Sequence, residues 1–342
     1  IEALAESVHR RIGTLRRNDG QLRPTLDALG RALLAPVADR LRNQRLIVVV
    51  DGALHLVPLG ALTSPRTRQP LLVDHEIVIT PSATVLAARR RTVTTSVEGP
   101  MIAIVADPIM SPDDARMMES VAAEAEAPAR AVPTTGLDAL DRLPHTRLEA
   151  ESIAALAADD QRRLLIGDAA RRDHVMAGDL RGHTVLHFAT HGFVHPRTPE
   201  LSGLVLSRFA TDGTVLDAFL DAHDVASLQL DAELVVLSGC RTAHGKAIDG
   251  EGLVGLSHAF MVAGARQVIA SLWQVRDRAT ADLMTRFYRA LWVDGRSPAA
   301  ALRAAKLGVR SERRFRDPYF WAAFELYGDD HPNASLTPRP AN

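Results

Sequence analysis

The 342-residue chain has one cysteine, Cys240. A single thiol excludes an intrachain disulfide and any zinc site built on a cysteine cluster. Lysine is almost missing as well. Lys246 and Lys306 are the only two, so nearly all of the 40 basic residues are arginines. With so much alanine alongside, this bias suits a genomic codon preference better than arginine-based recognition. Arg89-Arg90-Arg91 and Arg313-Arg314-Phe315-Arg316 therefore read as solvated surface. Net charge is only −1, which gives no electrostatic case for a nucleic-acid or anionic membrane partner. No apolar run approaches the roughly 20 residues of a membrane span, and no secretory leader is seen. A cytoplasmic location is expected. The chain starts at Ile1 rather than Met, so an upstream portion is expected. Hydrophobic and charged contents of 46% and 24% are ordinary for a globular protein.

Residues 1–42 predict helices. Leu4, Val8, Ile12 and Leu15 recur at helical spacing, and Leu26, Leu29, Leu33, Leu34 and Val37 do so again. Two helices bury little alone, so this segment is expected to pack on the main body or to end a helical array. Strands are expected at Leu46–Val50, at Leu54–Leu59 as an edge strand because of Pro58, at Glu76–Thr80 and at Met101–Ala106. Ser111 to Leu143 reads as a long loop with one helix near Asp113–Glu126; a loop of that length is usually functional or disordered. From Arg147 on, strands alternate with helical patterns. Strands are expected near 163–166, 184–189, 234–237, 267–272 and 322–326, with a short hairpin around Asp212-Gly213. Such alternation implies crossovers and a mainly parallel sheet, hence an α/β fold. Residues 43–329 form the main domain on this reading, and 330–342 a frayed tail.

Leu234-Val-Val-Leu237 is short, apolar and partly β-branched, and it runs into Ser238-Gly239-Cys240. It suits a central strand buried on both faces, with Cys240 at the carboxyl edge where such sheets carry chemistry. Alone, a single cysteine reads more readily as a small buried hydrophobe. Thr184 to Gly192 is a second buried strand, ending at His191-Gly192. If the two are parallel, His191 and Cys240 emerge at one edge, about 4.8 Å per strand apart. An imidazole there lowers the thiol pKa and serves as acid to a leaving amine. The backbone N–H groups of Gly192 and Cys240 are candidate oxyanion donors.

Competing readings exist. His183, His187, His191 and His195 recur every four residues, a zinc face on a helix. The flanking Thr, Val and Phe residues favour strand, where only His187 and His191 share a face. Gly250, Gly252 and Gly255 match a dinucleotide fingerprint but stand too far from the preceding strand. They read instead as hinges of a loop, Arg241 to Glu251, that folds over the Cys240 edge. No metal and no cofactor is expected. Asp107 ends a strand at the same edge. It either caps the following Pro turn or lines a pocket for a basic side chain. Asp249, Glu251 and Asp277 are weaker candidates for that pocket.

Taken together, these residues resemble the CHAT family of caspase-like peptidases. Val185-Leu-His-Phe-Ala-Thr-His-Gly192 is similar to its histidine strand, and Leu234-Val-Val-Leu-Ser-Gly-Cys-Arg-Thr-Ala243 to its cysteine strand. Gly252–Phe260, Val268–Trp273 and Pro318–Phe324 follow in the family's order. The resemblance implies a caspase-like, mainly parallel sheet flanked by helices, with an N-terminal helical segment. It implies a cysteine endopeptidase acting on protein substrates through the dyad His191 and Cys240. It also implies cleavage after a basic residue selected near Asp107. Arg276-Asp277 stands where the family usually has two acidic residues. An upstream helical-repeat or sensor region, and a bacterial defence or cell-death role, are implied in the same way. The competing class is a catalytically silent caspase-like module.

Overall fold

The computed structural model describes residues 1–13, 19–42, 45–89, 101–117, 140–193, 195, 198–239, 251–329 and 336, without the side chains of 85, 88, 89, 199 and 251–254. Within these residues the strands are β1 (Leu46–Val48), β2 (Ile77–Ile79), β3 (Ile102–Ala106), β4 (Arg162–Ile166), β5 (Val185–Ala189), β6 (His191–Phe193), β7 (Gly203–Val205), β8 (Phe219–Asp221), β9 (Leu234–Leu237), β10 (Gln267–Ser271) and β11 (Phe324–Gly328). The α-helices are α1 (Glu2–Ile12), α2 (Leu22–Leu34), α3 (Ala83–Arg89), α4 (Pro144–Ala154), α5 (Arg172–Met176), α6 (Ala222–Ser227), α7 (Glu251–Val262), α8 (Asp277–Tyr288), α9 (Pro298–Ser311) and α10 (Pro318–Trp321).

Eight strands make one sheet in the order β1-β2-β11-β10-β9-β5-β3-β4, and β6, β7 and β8 make a second, antiparallel one. In the large sheet β4, β3, β5, β9 and β10 are mutually parallel. β11 runs antiparallel to β10, and β2 and β1 follow its direction. The fold is therefore α/β with a mainly parallel sheet and one reversed junction.

β3, β5, β9 and β10 are buried at every residue. Strands covered on both faces lose the apolar-polar alternation, which is why Leu234–Leu237 reads as an unbroken apolar run. β5 identifies the two covers. His187 contacts α4 and α8 through Glu149 and Tyr288. Its neighbour Phe188 stacks on Phe260 of α7, with centroids 5.4 Å apart. Successive residues on a strand point to opposite faces, so α4 and α8 cover one face and α7 the other.

The N-terminal helices share this core: Ala5, Val8 and Ile12 of α1 and Leu26 and Leu29 of α2 join the same buried cluster as the sheet. Gly30 permits the approach of α2, because a Cβ there would stand 2.5 Å from the Thr63 carbonyl oxygen. No helix among the described residues is long and apolar enough to cross a membrane.

Several expectations need correction. Leu54–Leu59 is not a strand. Gly52–Leu56 and Leu59–Ala61 are single 3₁₀ turns, the first opened by Asp51, whose carboxylate accepts from the Gly52 N–H at 2.8 Å. Leu56, Val57 and Leu59 are nevertheless buried; the apolar run reports burial, not extension. The hairpin expected around Asp212-Gly213 is present and longer than expected: Phe209 bridges Val215, Leu216 N–H donates to the Arg208 carbonyl, Leu206 N–H donates to the Ala218 carbonyl, and β7 pairs with β8 in the same register. Residues 113–117, expected to start a helix, form turns. The histidine strand stops at Ala189 and does not run through Gly192: the chain bends at Thr190, and His191 opens β6 in the second sheet.

Candidate active site

Registry places the two sequence segments of interest. Phe188 of β5 pairs with Leu237 of β9, in parallel. His191 stands three residues beyond the first, and Cys240 three residues beyond the second. Cys240 and Asp249 lie outside the described residues, as do the Arg241–Gly250 stretch and the side chain of Glu251. The chain is described up to Gly239, and Gly239 is informative.

Gly239 packs flat against Thr190. A Cβ on it would fall 2.0 Å from the Thr190 carbonyl oxygen and 2.8 Å from its N and C atoms. In addition the Gly192 N–H donates to the Gly239 carbonyl at 2.8 Å. The peptide before Cys240 is thus bonded to the peptide after His191. Only glycine allows that approach. Gly239→Ala is expected to push the two tips apart, since all three opposing atoms are backbone. The loss should be about 1–3 kcal/mol of stability from overpacking and about 100-fold in kcat/KM from misplacement on the order of 1 Å. Denaturant unfolding and peptide turnover measure the two. An active, fully stable Ala variant would refute this view of the contact.

Gly192 needs a correction with respect to its expected role. Its N–H is not presented to an external oxyanion in this conformation, because Gly239 already accepts it. His191 is 2% exposed. Its Nε2–H donates to the carbonyl of Asp141 at 2.6 Å, so the imidazole is turned toward the segment that leads into α4.

His191 lines a cavity of about 280 Å³. Ser238, Gly239 and Ser271 come from the strand ends, and Leu143, Thr146 and Glu149 from α4 and the residues before it. Gln274, Val275, Arg276, Asp277 and Thr280 form the opposite wall, and Tyr319 closes it. Thr146 and Glu149 are three apart on α4, as Asp277 and Thr280 are on α8, a spacing that puts each pair on one helix face. The wall after β10 is pinned: Trp273 Nε1–H donates to the Tyr319 carbonyl at 3.0 Å, and Tyr319 O–H donates to the Gln274 carbonyl at 2.7 Å.

Burial pushes the Asp277 carboxyl up from its usual range. The His145 N–H, which donates to it at 3.2 Å, opposes that shift, and the charges of Glu149 and Asp107 add to it. A carboxyl whose folded pKa is raised stabilises the fold fully below its unfolded pKa and loses that contribution as pH climbs through the folded value. Asp277→Asn is therefore expected to flatten the decline in stability above the normal carboxylate range. Urea unfolding at pH 4 and pH 7 tests this; an unchanged pH slope would refute it.

Asp107 does not line the cavity. It is 0% exposed and sits at φ 48° just after β3. Arg142 forks onto its carboxylate, Nε to Oδ1 at 2.8 Å and Nη2 to Oδ2 at 2.7 Å, and Arg116 Nη1 reaches Oδ2 at 2.9 Å. Arg116 is held in turn by Asp114, whose carboxyl this lowers. Asp107 also meets Thr146, whose Oγ1 accepts its N–H.

The four-residue histidine ladder is dispersed. His187 is in the core with Glu149 and Tyr288, His183 Nδ1 meets the Arg181 carbonyl, and His195 Nδ1 accepts from the Thr198 N–H. Of the glycine fingerprint, Gly252 and Gly255 lie in α7, while Gly250 is outside the described residues. The residues that reading the sequence missed are Glu149, Thr280, Tyr319 and the arginines on Asp107. None carries a motif, and their partners are 9 to 38 residues away or more, so proximity alone reveals them.

The description of the CHAT domain matches residues 23–329. The human Tetratricopeptide repeat protein 28 is 27% identical over 362 aligned residues and covers 92% of this chain, which spans 13% of that protein's length. Among solved structures, Saccharomyces cerevisiae separase in its complex with securin has a TM-score of 0.47 at 14% identity, covering 83% of this chain and 15% of its own. The Arg specific cysteine proteinase gingipain R has a TM-score of 0.48 at 10% identity, covering 98% of this chain and 75% of its own. The histidine and cysteine strands, adjacent and parallel in the middle of the sheet, both fall inside the matched span, and this chain belongs to the CHAT-domain family.

Proposed function

We propose that the protein is a cysteine endopeptidase that cleaves protein substrates with Cys240 as nucleophile and His191 as its acid and base. One observation carries this reading: the peptide bonds flanking the two residues are hydrogen-bonded to each other, Gly192 N–H to Gly239 O, at the carboxyl edge of two parallel strands. The Cys240 thiolate attacks the scissile carbonyl carbon, and an S–C bond forms. The C–N bond then breaks as His191 gives its Nε2 proton to the leaving amine. Water then attacks the thioester carbon and yields a proton to the imidazole, the S–C bond breaks, and the acid product leaves with the thiolate and protonated imidazole restored. The Cys240 N–H is one oxyanion donor; Gly192 N–H is the second once it leaves Gly239. Asp249 and Glu251, close after Cys240 in the chain, stay as candidates for substrate contact, and cleavage after a basic residue is the preferred specificity.

An adjoining helical-repeat region as sensor or partner is supported by the repeat protein to which this chain is similar. A cytoplasmic, regulated bacterial defence or cell-death protease remains the role in view. No nucleic acid, membrane or cofactor is required by the reaction.

The second reading, a silent module, is favoured by the Asp141 carbonyl on His191. Labelling separates the two. A peptidyl acyloxymethyl ketone with arginine next to its reactive group is expected to alkylate Cys240, found by peptide mass spectrometry, and to fail on His191→Ala. Equal labelling of wild type and His191→Ala would favour the silent module.

A further inference from the structure

We infer that Glu149, which lines the same cavity as His191, is the specificity-determining residue that receives the cationic end of a substrate side chain. This rests on the peptidase reading of the same site and names the group that reading lacks. The sequence candidate, Asp107, already carries two guanidinium groups, those of Arg142 and Arg116, and is not on the cavity wall. With Asp114 also on Arg116, two carboxylates already balance two guanidiniums there, and no charge is left for a third cation. Glu149 differs on each point. It is 1% exposed and lines the cavity. Its Oε1 accepts from His187 Nε2–H at 2.9 Å, and Oε2 is buried with no hydrogen-bond partner among the described residues.

His187 meets only one of its two oxygens. The Tyr288 hydroxyl is fully buried, and its recorded partner is His187 Nδ1 at 3.1 Å. Both ring nitrogens of His187 are thus engaged, Nδ1 with Tyr288 and Nε2 with Oε1, and neither reaches Oε2. A buried carboxylate with one oxygen unsatisfied is costly, and a guanidinium or ammonium entering from the cavity would relieve that cost. The other charged groups facing the space are Asp277, Arg276 and, at its side, His191. Arg276 is exposed, so its charge is screened by water. Thr146, Ser271 and Thr280 also line the cavity, and a hydroxyl oxygen can accept from a guanidinium N–H.

The test uses the full chain and a matched pair of fluorogenic peptides with arginine or norleucine before the cleaved bond. Glu149→Gln keeps the acceptor for His187 and removes the charge. It should lower kcat/KM about 100-fold on the arginine peptide and less than 3-fold on the norleucine peptide, consistent with loss of a charge-assisted contact. Glu149→Asp retains the charge but withdraws it by one methylene, so it should reduce the arginine preference without abolishing it. Equal losses on both peptides, or an arginine preference that survives Glu149→Gln, would overturn the assignment. Binding of butylguanidine, followed by NMR titration of Cys240→Ala protein, needs no catalysis. It should weaken at least 10-fold when Glu149→Gln is added and strengthen as pH rises through the Asp277 range. If neither peptide is cleaved but this dependence on Glu149 is found, the peptidase reading fails and the cation site stands. Absent or Glu149-independent butylguanidine binding overturns the site itself. Should the Gln variant not fold, Glu149→Asp decides: unchanged butylguanidine affinity and an unchanged arginine-to-norleucine ratio would count against Glu149 as the seat.

Discussion

Replacing Cys240 with alanine is expected to lower peptide turnover by about four orders of magnitude or more, because nothing else in the chain offers a thiolate. Removal of a covalent nucleophile in comparable acyl-transfer sites has effects of that size. His191→Ala should lose on the order of 10²–10⁴, the usual worth of a positioned proton donor. The double variant should be scarcely worse than Cys240→Ala alone, because the two act in one sequence of steps and their effects do not add. Turnover of the arginine peptide, with a melting curve for each variant, provides the measurement. Turnover that persists in Cys240→Ala would sink the mechanism. A His191→Ala variant as active as wild type would remove the histidine from it.

The second large effect is on stability. Lys306 of α9 and Glu325 of β11 are buried together, Nζ to Oε2 at 3.5 Å, with side chains 6% and 2% exposed. Burial pushes the Lys306 ammonium down and the Glu325 carboxyl up, and each partner's charge works against that shift. Glu325 Oε1 has no hydrogen-bond partner among the described residues. Glu325 is opposite Ala270 on β10, the strand that leads into the cavity wall at Ser271. Lys306→Met leaves the carboxylate without its cation and should cost about 3–5 kcal/mol at neutral pH. The cost should shrink as pH falls, since a carboxyl with a raised folded pKa is stabilising below its unfolded pKa and loses that contribution as pH rises. The double variant Lys306→Met, Glu325→Leu should return to wild-type stability or exceed it by about 1–4 kcal/mol. Urea unfolding at pH 5 and pH 8 checks both statements. A double variant whose loss equals the sum of the single losses would show that the two residues are not energetically a pair.

The parts of this molecule that were legible in its sequence are those where local pattern and tertiary environment agree. Leu234–Leu237, Val185–Ala189 and Ile102–Ala106 are apolar because they are buried on both faces, and burial on both faces is what a central strand requires. The helical patterns that alternate with strands after Arg147 correspond to elements such as α7, α8 and α9, the last with Ser297 capping it and Pro298 in its first turn. Where burial occurs without regular structure, the reading failed: Leu54–Leu59 is as apolar as a strand but is wound into 3₁₀ turns by Gly52, Asp51 and Pro58. The bend at Thr190 was hidden for a similar reason. Thr184 to Gly192 has one continuous strand-like composition, and only the pairing of His191 with Val205 of β7 shows where it changes sheets.

The site divides along the same line. The sequence by itself determined which chemistry is available: one thiol, a histidine before a glycine, each at the end of an apolar strand, in the order of a known family. Those properties are carried by residue type and short-range spacing. Which carboxylate faces the cavity was decided by the tertiary structure. Asp107 and Glu149 are both acidic residues near the same sheet edge. Asp107 turns away at a left-handed φ and is neutralised by arginines 9 and 35 positions along the chain. Glu149 is brought to the cavity by the packing of α4 on α8, and its imidazole partner lies 38 residues off. Electrostatic pairing falls off with distance in space, not along the chain; a carboxylate's role is therefore set by neighbours that only the fold assembles.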